Sequence, residues 1–247
     1  MTIPYVKRFI LPFPVRYLHF FFLVLSAVAL LLTWPFDKSR RIVHELSRIL
    51  VRIFYAVPPL WKFRVTGREY IDRRKPYVIV VNHQAGLDIP TLYFVPLNFR
   101  WVSKREVFKV PFFGQFLLLH GDICINRSHA TAAMEKVIRD GKLWLSRGAS
   151  VAIFPEGTRS HDGAIHRFKA GAFTLAREAG VEILPVVLYG TTTMIGRNGM
   201  FNWRNKLTVS ILPPVSAERV AAADPKELME QVRASMCVRL AEIKKQK

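Results

Sequence analysis

The chain has 247 residues, 51% hydrophobic and 22% charged, which excludes a disordered chain and suits one α/β domain with a smaller appendage. Its net charge of +19 and isoelectric point of about 10.4 imply an anionic partner: nucleic acid, an anionic membrane surface or a phosphorylated substrate. Cys124 and Cys237 are too few for a disulfide framework and form no CxxC pair, so they read as small buried hydrophobes in a reducing, cytoplasmic setting.

The first segment favours the membrane. Leu18–Trp34 is apolar except for His19, Ser26 and Thr33 and carries no formal charge. Its seventeen residues make a helix of ~26 Å, against a hydrocarbon core of about 30 Å, so it barely spans or dips in and returns. Lys7, Arg8 and Arg16 precede the run, as in a secretory signal. It ends in Thr33-Trp34-Pro35-Phe36, with no small-x-small cleavage site after it, so retention is expected. Lys38, Arg40 and Arg41 make the far flank basic too, which leaves orientation open. A second helix follows, with Ile42, Val43, Leu46, Ile49, Leu50, Ile53, Phe54 and Val57 on one face and Glu45, Arg48 and Arg52 on the other. Pro58-Pro59 stops it. Residues 1–62 thus read as membrane-anchoring helices.

Residues 63–247 read as an α/β domain. Tyr77–Asn82, Val151–Phe154 and Ile183–Tyr189 are β-branched runs typical of buried strands, with weaker strands at Arg100–Ser103, Asp122–Asn126 and Lys206–Leu212. Helices are expected at Pro90–Phe94, Ala130–Leu145, Phe168–Ala179 and Pro225–Lys245. The alternation predicts a mixed, mainly parallel sheet flanked by helices, with an N-terminal helical membrane anchor. Such sheets place their chemistry on the loops leaving the strand ends.

The loop after the first strong strand reads Asn82-His83-Gln84-Ala85-Gly86-Leu87-Asp88. On one helix, His83 and Asp88 would point about 140° apart and could not meet. They meet if His83 lies on the strand-exit loop and Asp88 begins the next helix, an arrangement that Pro90 in a first turn supports. A histidine is poised to take a proton from an alcohol at neutral pH, and a carboxylate on its other ring nitrogen fixes the tautomer. An Asp88 that merely caps a helix and a His83 that merely fills a loop remain the alternative for this pair alone. Further along, Phe154-Pro155-Glu156-Gly157-Thr158-Arg159-Ser160 follows a strand. Arg159 there offers a planar fork of donors for phosphate, and Glu156 either accepts from a glycerol hydroxyl or holds Arg159. Arg127 ends Gly121–Arg127, and Lys104 and Arg105 follow another strand. Three strand exits therefore carry cations and a fourth carries the His/Asp pair.

The order NHxxxxD, GxxxINR, FPEGTRS and Leu184-Pro185-Val186-Val187, over about Val65 to Pro214, resembles the glycerolipid acyltransferases. Within them it is most similar to the branch that acylates 1-acyl-sn-glycerol 3-phosphate. Cys124 and Asn126 stand where that family usually has an aromatic residue and an aspartate, and Gln84 where it often has serine. The resemblance implies His83 as general base with Asp88 as its partner. It also implies that Lys104, Arg127, Glu156, Gly157, Thr158 and Arg159 hold the glycerol phosphate. Membrane lipids, a lysophospholipid acceptor and an acyl-CoA or acyl carrier protein donor would be the partners, at the cytoplasmic face of the membrane in a bacterium. Lysophosphatidate is the expected acceptor, with another lysolipid such as a lyso-aminolipid, or glycerol 3-phosphate, as the alternative. No cofactor, metal or nucleic acid is expected. There is no HExxH, GxSxG, zinc-finger or RNP-like sequence to favour a metalloenzyme, a serine hydrolase or a nucleic-acid binder.

Overall fold

The computed structural model describes residues 13–56, 62–111, 113–194, 202 and 205–246. Lys7, Arg8, Val57 and the Pro58-Pro59 helix stop lie outside them. Two N-terminal helices, α1 (Phe13–Thr33) and α2 (Arg41–Ala56), precede the sheet. Its strands are β1 (Lys62–Thr66), β2 (Val78–Val81), β3 (Phe99–Lys104), β4 (Ile123–Ile125), β5 (Ser150–Ile153), β6 (Ile183–Tyr189) and β7 (Lys206–Ile211). Their order across the sheet is β1-β7-β6-β2-β5-β3-β4. Each pairing is parallel except β6 with β7. The sheet is thus mixed and mainly parallel.

The connecting helices are α3 (Asp88–Thr91), α4 (Arg105–Phe108), α5 (Phe113–His120), α6 (Ala130–Ser146), α7 (Gly171–Ala179), α8 (Ala217–Ala222) and α9 (Pro225–Lys245). Alternation along β2 divides the core. Val78 and Val80 pack with Val137 and Trp144 of α6, Leu175 of α7 and Met236 of α9. Ile79 and Val81 face the other way, among Leu92, Tyr93, Val95, Phe99 and Trp101. Helix α9 starts where Asp224 accepts from the N–H groups of Lys226 and Glu227, with Pro225 in its first turn.

Several elements depart from the sequence reading. The helix expected from Phe168 starts at Gly171, because Lys169 N donates to Pro155 O at 2.8 Å and holds that stretch on the β5 exit loop. Strand β1 is a half-exposed edge strand whose Lys-Phe-Arg-Val-Thr lacks a buried β-branched run. Helices α4, α5 and α8 are short, and their apolar residues are too few to show a period.

Helix α2 is turned relative to expectation. Arg48, assigned to the polar face, is buried, while Ile42, Ile49 and Ile53 are exposed. The Arg48 guanidinium is accommodated because it donates to Glu45 at 2.7 Å and to Leu97 O at 2.6 Å. Arg100 of β3, also buried, donates to Ser39 O and Arg40 O in the turn between α1 and α2. Among the described residues no helix is long and apolar enough to cross a membrane. Helix α1 instead packs on α2 and α5, burying Phe22 and leaving Phe20, Phe21, Val24, Val28, Leu31 and Leu32 exposed.

Candidate active site

The parallel strands β2, β5, β3 and β4 run in one direction, so the loops leaving their C-terminal ends share an edge of the sheet. The β2 exit is tied down first. Asn82 Nδ2 donates to Leu188 O at 3.0 Å, and Leu188 N donates to Asn82 Oδ1 at 2.7 Å, so the residue before His83 is fixed to β6.

His83 follows on the loop, and Asp88 is the first residue of α3. His83 Nδ1 lies 2.8 Å from Asp88 Oδ2. A carboxylate only accepts, so the shared proton sits on Nδ1 and the lone pair of Nε2 is left for another partner. The same Asp88 oxygen accepts from Gln84 N at 2.6 Å and Ala85 N at 2.8 Å, so the turn wraps around the carboxylate. Asp88 is fully buried, while the His83 side chain keeps 16% of its surface in contact with solvent. The imidazole also lies flat on Phe154, with ring centroids 3.9 Å apart and planes at 15°. Phe154 stacks in turn on the buried Trp101 at 4.7 Å. In the sequence Phe154 carries no signal of a role beyond its place just before Pro155-Glu156.

The β5 exit loop reaches the same histidine. Glu156 is buried, and its Oε1 accepts from His83 N at 2.9 Å while Oε2 accepts from His166 N at 3.0 Å. Burial pushes its carboxyl up, and the two backbone donors pull the other way. Both oxygens are thus engaged by backbone, rather than reserved for an acceptor hydroxyl. Ser160 N donates to His83 O at 2.8 Å, which closes the loop against β2. Gln84 joins the same assembly by donating from Nε2 to Gly163 O at 3.2 Å.

Gly157 has φ +74°, a left-handed conformation that favours glycine. Its carbonyl accepts from Arg127, which arrives from the β4 exit. Lys104 ends β3 and is exposed, as are Thr158 and Arg159. The side chains of Lys104 and Thr158 make no hydrogen bond or ion pair with the described residues. The structure therefore joins His83 with Asp88, Glu156 with the His83 backbone, and Arg127 with Gly157, and it sets Lys104, Thr158 and Arg159 on the solvent side of the same edge. Cys124 and Cys237 are half-buried free thiols, each pushed up by burial.

An imidazole with one nitrogen held by a carboxylate, ringed by strand exits carrying cations, can deprotonate a hydroxyl on a phosphorylated molecule. The family model described as acyltransferase matches residues 62–189, which contain all of these residues. The chain belongs to the acyltransferase family. It is 34% identical over 203 residues to a chloroplastic 1-acyl-sn-glycerol-3-phosphate acyltransferase of Arabidopsis thaliana, an alignment covering 81% of this chain and 56% of that one. Its identity to the 1-acyl-sn-glycerol-3-phosphate acyltransferase of Saccharomyces cerevisiae is 34% over 207 residues, 81% of this chain and 68% of the yeast protein. For the Borreliella burgdorferi protein of the same name it is 29% over 205 residues, 81% of each chain. The chain spans about half the length of several curated relatives it matches. The crystal structure of the 1-acyl-sn-glycerophosphate acyltransferase of Thermotoga maritima superposes with a TM-score of 0.69 at 23% identity, covering 96% of this chain and 98% of that one. That likeness extends the shared fold over nearly the whole chain.

Proposed function

We propose that this protein transfers a fatty acyl chain from an acyl-CoA or acyl carrier protein thioester to the sn-2 hydroxyl of lysophosphatidate, making phosphatidate. The observation that carries the reading is the 2.8 Å contact between His83 and Asp88 at the sheet edge. The names of the relatives supply the substrate class. In this reading the acceptor hydroxyl donates to His83 Nε2. His83 takes its proton as the oxygen attacks the thioester carbonyl, and Asp88 steadies the imidazolium that forms. The thiol then leaves with the proton from His83. Charge that builds on the carbonyl oxygen needs donors, and backbone N–H groups of these loops are the available kind. Arg127, Arg159 and Lys104 would hold the phosphate, and Glu156 would keep His83 in place.

The N-terminal helices would seat the domain on the membrane. The exposed apolar stripe of α1 and the outward Ile42, Ile49 and Ile53 of α2 are surface that a lipid interface would cover. The acceptor is a lipid, so such seating brings it to the site while the thioester arrives from the water.

The test is to supply purified wild type and His83→Ala with lysophosphatidate and either a long-chain acyl-CoA or an acyl carrier protein thioester, following thiol and phosphatidate together. Phosphatidate should form and fall by roughly 10²–10⁴-fold in the variant. Thiol released without lipid product, or a fully active His83→Ala, would sink the reading.

A further inference from the structure

Besides the cations that follow the strands directly, the structure folds the far end of the β5 exit loop back so that one more basic residue lies beside Gly157. Lys169 lies between the β5 exit loop and α7, and its backbone N–H donates to Pro155 O at 2.8 Å. Its side chain runs back over Gly157. A Cβ built on Gly157 would stand 2.8 Å from Lys169 Nζ, 3.0 Å from Cε and 3.3 Å from Cδ. The lysine stem therefore uses the space that a larger residue at 157 would fill. On the same residue, Arg127 donates to Gly157 O. Two cations from separate elements thus converge on one glycine, beside the Glu156 that holds His83. Lys169 forms no hydrogen bond or ion pair through its ammonium with any described side chain, and the residue is exposed. An ammonium with no side-chain partner among the described residues, beside a glycine whose carbonyl takes an arginine, is an arrangement that an anion can complete.

We propose that Lys169 is a phosphate-binding residue for the acceptor, closing on the headgroup across Gly157 from Arg127; this rests on the acyl-transfer reading above. The left-handed backbone of Gly157 and the absence of its Cβ are what let the lysine approach. A side chain at 157 would displace Lys169 as well as strain the loop, so Gly157→Ala and Lys169→Met should share much of their effect.

The test uses the full chain in detergent. Lys169→Met should raise KM for lysophosphatidate by roughly tenfold, the size of one lost charge-assisted contact, while kcat stays near wild type. Lys169→Arg should recover most of the loss. Arg167→Met, an exposed neighbour outside the proposed site, should leave KM unchanged. A second readout does not need turnover: the rate at which an amine reagent modifies Lys169, followed by peptide mass spectrometry. Lysophosphatidate should slow that modification, and monoacylglycerol, which lacks only the phosphate, should not. Equal protection by the two lipids, or no protection, overturns the proposal, as does an unmoved KM or an equal shift in Arg167→Met. If wild type fails to acylate lysophosphatidate, the reaction assignment is what has failed. The labelling comparison then still decides whether Lys169 binds the phosphate.

Discussion

Glu156 shows how a carboxylate's role depends on what its oxygens already hold. One oxygen accepts from His83 N and the other from His166 N, in a buried setting. Glutamine at this position would offer one oxygen and one NH₂, so one backbone N–H would face a donor instead of an acceptor. Leaving a buried donor unpaired costs about 1–3 kcal/mol. We expect Glu156→Gln to lower the unfolding midpoint, and to lower kcat by on the order of ten- to a hundredfold as the imidazole shifts, with KM for the acceptor little changed. A rise in KM at constant kcat would mean that Glu156 touches the acceptor, as the family resemblance implies. His83 on the loop and Asp88 at a helix start were legible, because one helix would hold the two about 140° apart and Pro90 marks a helix start just after Asp88. The partners of Glu156 were not. Whether a carboxylate turns to a guanidinium or to backbone N–H groups depends on the path of residues 160–166, which no local pattern sets. The flat contact of His83 on Phe154 was hidden for the same reason.

At the level of elements, the seam between α2, α5 and β3 has its own titration behaviour. His44 of α2 and His120 of α5 are both buried, with ring centroids 5.2 Å apart and Tyr93 stacked on His44. Asp122 lies beside His120 at 3.7 Å and accepts from Trp101 N, while Arg100, Arg40, Arg48 and Glu45 carry the neighbouring charges. Burial holds both histidines well below the ordinary imidazole range and pushes Asp122 up to about 7. Below about pH 6.5 the unfolded chain binds two protons at these histidines that the fold refuses, whereas the fold keeps one on Asp122 that the unfolded chain releases above about pH 4. The net is one proton in favour of the unfolded state. This seam should therefore lose about 1.4 kcal/mol of stability per pH unit as pH falls below 6.5, until the folded histidines protonate. Asp122→Asn cancels the opposing term and should steepen that slope. A slope in denaturant titrations that Asp122→Asn leaves unchanged would contradict the account. This seam also marks the limit of what periodicity reveals. The buried strands β2, β5 and β6 were legible as β-branched runs, and α9 from its proline start and long apolar period. The face that α2 buries was not, since charged Arg48 goes inside where the Val95 and Leu97 carbonyls, distant in sequence, help Glu45 to receive it.

For the whole molecule, charge and exposed apolar surface act on the same partner. The chain holds 37 Lys and Arg against 18 Asp and Glu, so an anionic surface attracts it. Net charge by itself fixes no orientation, and its pull is screened beyond about 10 Å at ordinary salt. The stripe on α1 can fix one. Leu31 is 78% exposed and Leu32 72%, near the turn where Trp34 and Phe36 are exposed too. Sinking a leucine side chain into an apolar phase is worth about 1.5–3 kcal/mol, so losing two should weaken partitioning by roughly 10²–10⁴-fold. We expect Leu31→Glu/Leu32→Glu to leave the melting temperature unchanged, because neither side chain packs in the folded core. The same variant should fail to float with anionic vesicles in a density gradient where wild type floats. High salt should weaken wild-type binding without abolishing it if the apolar stripe inserts, and should abolish it if charge alone holds the protein. A variant that floats as wild type does would show that α1 stays out of the bilayer. Delivery of the lipid acceptor to His83 would then have to rest on other surfaces of the protein.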